Sequence, residues 1–293
     1  MTTTQLIIRA DFLLEALPYI QRYRGETFVI KYGGSFMDSK DPEQRDSVCR
    51  DITFLEAVGI NPVVVHGGGK AITRALKESG LETQFIKGMR VTDKQTMNVV
   101  ERVLSHEINP RIVDAVKRFG GRAEGFPGTK LLKCVKKYAV DENGQEFDVG
   151  YVGQVVGVNV EKIQECIANN VTPILSPTAC DEEGNFYNCN ADIAAAQVAI
   201  ALKARRLVFM SDVPGLMRDI TDPTSLIPRL QVNEVAELKR TGVIDTGMIP
   251  KMDSAVEAIR SGVEKVSLVD GRMPHSVMLE IFTHAGVGTE LVL

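Results

Sequence analysis

The stretch FVIKYGGSFM, residues 28–37, runs an apolar segment into Lys31 and then into Gly33, Gly34 and Ser35. A lysine at a strand end is a point charge suited to phosphate. Glycines beside it let backbone N–H groups approach anionic oxygens, and successive N–H groups form an anion nest. Three more strand-like segments end in similar residues. Residues 62–66 run into His66, Gly67, Gly68 and Gly69. Residues 171–176 lead through the turn DEEGN to Asn188, Cys189, Asn190 and Asp192, and residues 206–211 end in Ser211, Asp212 and then Gly215. One such turn alone is an ordinary strand-to-helix connection. Several at one sheet edge point to a shared cradle for an anionic ligand, since ligands of open α/β sheets bind beyond the carboxyl ends of the strands.

Two familiar phosphate motifs are excluded. A Walker A loop would need glycine where Val64 stands and Ser or Thr where Ala71 follows Lys70. No GxGxxG follows a strand, so a nicotinamide-binding domain is not supported. The chain's 293 residues suffice for one large domain or two lobes. A net charge of −4 argues against a nucleic-acid-coating surface, but a small anionic ligand needs only a few local cations. The five cysteines are odd in number and contain no CxxC, which fits reduced thiols in a cytoplasmic protein better than a zinc cluster or disulfide framework. The first twenty residues lack a basic n-region and do not read as a signal peptide. No apolar run approaches a membrane span.

The elements that must position these residues alternate. Residues 9–23 carry apolar side chains at helical spacing, with Pro18 predicted to kink or interrupt the helix. Residues 41–59 predict a helix with Asp41 as N-cap, Pro42 in the first turn and Gly59 at the end. Residues 93–121 predict one long helix, bent at Pro110 and stopped by Gly120 and Gly121. Residues 129–158 change to strand-like runs around DENGQ and predict an antiparallel flap grafted on the fold. Helices at 159–169, 190–204, 231–241 and 250–261 then alternate with strands at 171–176, 206–211 and 265–270. Asn190 is the N-cap candidate for the helix that carries Asp192. Short buried strands between helices imply an α/β fold with a largely parallel sheet covered on both faces. His66 reads as a packed strand residue.

The motifs KYGGS, VVVHGGG, KGMRVTD, YNCNADIAA, SDVPGL and GMIPKM resemble, in order and spacing, those of the amino acid kinase superfamily, closest to its N-acetylglutamate kinases. The resemblance runs from about residue 25 to residue 293. It implies a three-layer α/β/α sandwich with an open, mainly parallel central sheet. It also implies an amino-acid lobe at 25–178 and an ATP lobe at 179–293. The reaction implied is ATP-dependent phosphorylation of the side-chain carboxylate of N-acetyl-L-glutamate, in arginine biosynthesis. Lys31 and Lys251 then correspond to the catalytic lysines, with Asp192 between them. Without the resemblance, a solvated lysine at a helix start accounts for Lys251. Gly68 and Gly69 correspond to backbone donors to the reacting groups, Asn188 to a substrate hydrogen-bonding residue, and Arg90 to a bidentate clamp on the α-carboxylate. Gly33, Gly34, Ser211 and Asp212 fall to the nucleotide side. Mg²⁺ is expected on the ATP phosphates, with no protein metal cage. Lys70 stands where proline is common and Cys189 where valine is common; neither departure removes a proposed catalytic group.

Residues 1–24 precede that core and resemble the N-terminal helix of the arginine-inhibited, hexameric members. His275, Glu280, Gly286 and Gly288 match the region where L-arginine sits in those relatives. An amphipathic helix packed on the lobe is the alternative reading. A homo-oligomer is implied, with hexamer and dimer both open, as is binding of a PII-type signalling protein. Another superfamily kinase, or an amino-acid sensor on the same fold, remains the rival reading; the lysine pair with Asp192 argues against the sensor.

Overall fold

The computed structural model describes residues 2–39, 41–141, 143–245 and 247–293. In chain order the first elements are α1 (Thr3–Tyr23), β1 (Thr27–Tyr32), α2 (Pro42–Ala57), β2 (Asn61–His66), α3 (Gly69–Glu78), β3 (Phe85–Ile86) and β4 (Met89–Arg90). Next come α4 (Lys94–Glu101), α5 (Asn109–Arg118), β5 (Ala123–Phe126), β6 (Leu132–Val140), β7 (Glu146–Val158), α6 (Glu161–Ala168), β8 (Thr172–Leu175), β9 (Thr178–Cys180) and β10 (Phe186–Cys189). The remainder is α7 (Ala191–Ala201), β11 (Arg206–Ser211), β12 (Arg229–Gln231), α8 (Val235–Arg240), α9 (Ile249–Arg260), β13 (Lys265–Asp270), α10 (Ser276–Phe282) and β14 (Thr289–Val292).

Among the described residues, eight strands form one sheet in the order β12-β14-β13-β11-β1-β2-β8-β5. It is parallel except where β14 runs against β13. Alternation along β1 splits the core between the two faces. Phe28 and Ile30 join Val64, Ile174 and Val208 on one side. Val29 joins Val63, Leu175, Leu207 and Phe209 on the other. Each face is covered by helices, because these strands are buried on both sides. The expected α/β/α sandwich is the architecture observed.

Local chemistry starts the helices as the sequence predicts. Asp41 accepts a hydrogen bond from Glu43 N, and Pro42 opens α2. Asn190 caps α7 through Asp192 N and Ile193 N, at 2.8 and 3.2 Å. Two expectations need correction. The helix α1 begins at Thr3 and runs through Pro18 without interruption. Proline frees the carbonyl four residues back, here Leu14, whose residue is 64% exposed, so water can satisfy it. The helix expected at 93–121 is interrupted not at Pro110 but before it, by a π segment at Arg102–Ile108. Pro110 sits in the first turn of α5, where its missing N–H costs nothing.

The flap is also more than a graft. Strands β6 and β7 pair antiparallel as expected, but β7 also pairs with β10, and β9 closes the ring to β6 and β10. The result is a closed four-stranded barrel beside the main sheet. Among the described residues, no helix is long and apolar enough to cross a membrane.

Candidate active site

At the carboxyl edge of the sheet, β1 delivers Lys31 and the start of α7 delivers Asp192. The Lys31 Nζ lies 3.1 Å from Asp192 Oδ1. From the first turns of α9, Lys251 donates a hydrogen bond to Asp192 Oδ2 at 2.8 Å. The two contacts differ: the Lys251 hydrogen bond is shorter and well aligned, whereas the Lys31 ammonium meets Asp192 Oδ1 at a poorer angle. Burial alone would raise the Asp192 carboxyl, but Lys31 and Lys251 hold it down at about 2. Burial pulls the Lys251 ammonium below the ordinary lysine value, with Asp192 opposing the shift. Lys251 also stands 4.9 Å from the Phe209 ring centroid.

The glycines have distinct reasons. A Cβ on Gly33 would lie 2.6 Å from Lys31 Nζ, so any side chain there would push the lysine's flexible end from its present place over the loop. Gly34 has φ of 144°, a conformation that favours glycine. A Cβ on Gly68 would strike Ile108 and Leu104, at 2.5 and 2.6 Å. At Gly69 a Cβ would meet nothing within 4 Å, so space does not demand that glycine.

Most of these groups border a cavity of about 620 Å³; Lys251 is not in its lining, although the neighbouring Pro250 is. The cavity brings together Lys31, Gly33, Gly34, Gly68, Gly69, Arg90, Asn188 and Asp192. Arg90 is buried, and its guanidinium donates to Gly69 O, Thr73 Oγ1 and Thr83 Oγ1 at 3.1, 2.9 and 3.3 Å. Burial lowers its pKa, yet a guanidinium stays charged. Among the described residues no carboxylate pairs with it. A buried guanidinium with only neutral partners, facing a cavity, is a site for an anion.

A second cavity of about 230 Å³ shares Gly34, Gly68 and Gly69, and adds Lys70, Arg111 and Asp212. Ser211 lines neither cavity; its hydroxyl donates to Val213 O. His66 is fully buried, with burial pushing it down to about 4, so the imidazole is neutral at neutral pH. Among the described residues no three His, Cys, Asp or Glu side chains gather to hold a metal.

The C-terminal set stands apart. Arg206 begins β11, whose far end is Ser211, about 17 Å away at strand rise. Its guanidinium donates to Glu280 O at 3.2 Å, with Glu280 Oε1 at 3.9 Å. Glu280 Oε2 accepts from Val287 N and Gly288 N. A Cβ on Gly286 would lie 2.6 Å from that oxygen, and one on Gly288 would lie 2.0 Å from Leu268 O. His275 Nδ1 contacts Asp51 Oδ1 at 2.7 Å, from the left-handed position before α10.

Sequence reasoning missed the wall opposite the glycine loops. Phe85 and Lys87 come from the β3–β4 hairpin, and Lys137, Val152 and Gly153 from β6 and β7. The paired lysines before DENGQ were the available signal.

Residues 26–270 match the model of the amino acid kinase family. The chain belongs to that family. Within it, full-length relatives place the chain among the acetylglutamate kinases. The acetylglutamate kinase of Akkermansia muciniphila is 46% identical over 99% of this chain and 97% of its own length. That of Methanocaldococcus jannaschii is 43% identical over 99% and 98%. Solved structures agree on the fold. This family member superposes on an N-acetylglutamate synthase from Neisseria gonorrhoeae with TM-score 0.84 at 23% identity, covering 97% of this chain and 63% of that one. It superposes on Giardia carbamate kinase with TM-score 0.67 at 14% identity, covering 92% and 99%.

Proposed function

We propose that the protein transfers the γ-phosphoryl group of ATP to the side-chain carboxylate of N-acetyl-L-glutamate, in arginine biosynthesis. The observation that carries this reading is the Lys31–Asp192 pair lining one cavity with the carboxylate-free Arg90 guanidinium, with Lys251 bonded to the same aspartate from behind the cavity wall. Transfer between two anions needs positioning and offset charge more than covalent chemistry. Arg90 takes the α-carboxylate and Asn188 orients the substrate. The side-chain carboxylate then lies against Gly68 and Gly69, whose N–H groups act as fixed dipoles. Lys31 follows the phosphoryl group in flight. Lys251 holds the nucleotide side, and Asp192 keeps the two ammonium groups apart. Gly33, Gly34 and the Asp212 side of the smaller cavity serve the nucleotide. Mg²⁺ fits as the ion carried by the ATP phosphates, where it neutralises developing charge.

Coupled ADP release with ATP and Mg²⁺ tests this. Turnover with N-acetyl-L-glutamate but not L-glutamate is expected, and Lys31→Ala or Lys251→Ala should lower kcat by about 100-fold or more. Equal turnover of both amino acids, or near-normal turnover in either variant, refutes the assignment.

A regulatory reading has its own support. One face of α1 packs on the core through Ala16, Tyr19 and Ile20, while Ile7, Ile8, Leu13, Leu14 and Leu17 are exposed. Such a face suits a second copy of the chain, in a dimer or hexamer. L-Arginine then inhibits through α1 and the α10 region, where Glu280 already faces a guanidinium of the chain itself. If arginine leaves the kinetics of the full chain and of residues 25–293 equally unchanged, this reading fails.

A further inference from the structure

The flap carries adjacent lysines that point to different places. Strand β6 begins with Leu132 and Cys134 buried and Lys133 and Val135 exposed. Continued alternation would turn Lys136 and Tyr138 inward and Lys137 and Ala139 outward. The reverse is observed: Ala139 is buried and Tyr138 exposed. The parity changes where the ladder breaks. Lys136 faces Gly153 and Tyr138 faces Asp148, so residues 149–152 of β7 stand opposite Lys137 alone. Those extra residues bond instead to the strand leaving Arg90: Thr92 N donates to Val149 O at 2.9 Å, and Tyr151 N donates to Thr92 O at 2.6 Å. A bulge of this kind re-aims a side chain.

Its effect on the two lysines is opposite. Lys136 turns away and donates to Asp148 at 2.7 Å. Lys137 lines the 620 Å³ cavity beside Arg90, Asn188 and Gly153. The adjoining buried side of the flap, through Ala139 and Val152, packs on Ile86 and Met89 of the hairpin that carries Arg90. Among the described residues no hydrogen bond or ion pair engages the Lys137 ammonium. On the cavity wall Arg90 and Lys137 thus stand without a carboxylate partner among the described residues, while Asp192 is already shared by Lys31 and Lys251.

We propose that Lys137, turned inward by the β6–β7 bulge, is a substrate-binding residue that pairs with a carboxylate of the acyl amino acid. The proposal rests on the acetylglutamate kinase reading and adds a specificity residue to it. A dicarboxylate would gain a second cation beyond Arg90 from the flap, so a substrate lacking one carboxylate would bind more weakly.

The test is steady-state kinetics and calorimetric binding of N-acetyl-L-glutamate to the full chain and to Lys137→Met, Lys137→Arg and Lys136→Met. Loss of one charge-assisted contact predicts about a tenfold rise in KM and Kd for N-acetyl-L-glutamate in Lys137→Met. The KM for ATP should hold and kcat should stay within about threefold of the unaltered chain. Lys137→Arg should restore most of the affinity, and Lys136→Met, on the outer face, should leave both constants unchanged. An unchanged KM and Kd in Lys137→Met overturns the proposal, as does a change confined to kcat or to the KM for ATP. If the unaltered protein turns over N-acetyl-L-glutamate in those cases, only the role of Lys137 falls. If it does not, the proposed function falls and Lys137 with it.

Discussion

Replacing Asp192 by Asn keeps the shape of the side chain and removes the charge that Lys31 and Lys251 share. Holding that carboxyl at about 2 instead of its ordinary 3.8 corresponds to about 2–3 kcal/mol of stability at neutral pH. Because the folded value is depressed, this contribution is complete above the unfolded value and disappears as pH falls toward 2. Asparagine forfeits it and leaves two ammonium groups, 13% and 10% exposed, with no anion between them. A loss of about 2–3 kcal/mol in urea titrations is expected. Catalysis should suffer more, because Lys251 is already depressed by burial and is opposed only by Asp192. Without that carboxylate its pKa drops further, and the basic limb of the kcat–pH profile moves toward neutrality. Coupled ADP release should give a kcat about 100-fold lower at neutral pH. A kcat within threefold of the unaltered chain, with an unmoved basic limb, would refute the placing of Asp192 between two working cations.

Gly68→Ala should lose about 1–3 kcal/mol of stability through the clash with Ile108 and Leu104, while Gly69→Ala keeps the stability of the parent; equal urea midpoints for the two would contradict the packing. Arg90→Lys should raise the KM for N-acetyl-L-glutamate about tenfold or more, since an ammonium cannot bind a carboxylate bidentately while meeting Gly69, Thr73 and Thr83; an unchanged KM would remove the clamp. Burial raises the Asp51 carboxyl to about 6, with His275 opposing. A raised acid value means stability is present at low pH and lost as pH climbs from the unfolded value through 6, by about 2–3 kcal/mol. Asp51→Asn should flatten that fall in Tm between about pH 4 and 7, and a parallel decline in both proteins would refute it.

The parts of the fold legible in the sequence were those set by local chemistry. The strands at 27–32, 206–211 and 265–270 are short runs with apolar centres between polar ends, and they appear where the pattern places them. Asp41 and Asn190 cap their helices because short polar side chains reach the first free N–H groups. The π segment was not legible: Val103, Leu104 and Ile108 keep a helical apolar pattern, and the wider winding shows only in the backbone, where Asn109 N donates to Leu104 O five residues back. Nor was β14, one strand in from the sheet edge, where the charge of Glu290 is absorbed by Lys265, with Arg206 and Arg229 near. In the site, residues on strand ends could be read because glycines and lysines mark them. Phe85, Lys87 and Lys137 could not, because a two-residue hairpin and a ladder break decide where they point.

The closed ring of β6, β7, β9 and β10 has a mechanical consequence. A free hairpin could swing over its substrate alone, but this one is laced to β10, with Val152 beside Asn188 and Gly153 beside Cys189. Any movement that keeps those ladders carries Asn188 along, and one residue beyond Cys189 begins the Asn190 cap whose helix bears Asp192. The flap that walls the cavity and the carboxylate shared by the two lysines are therefore arms of a single lever.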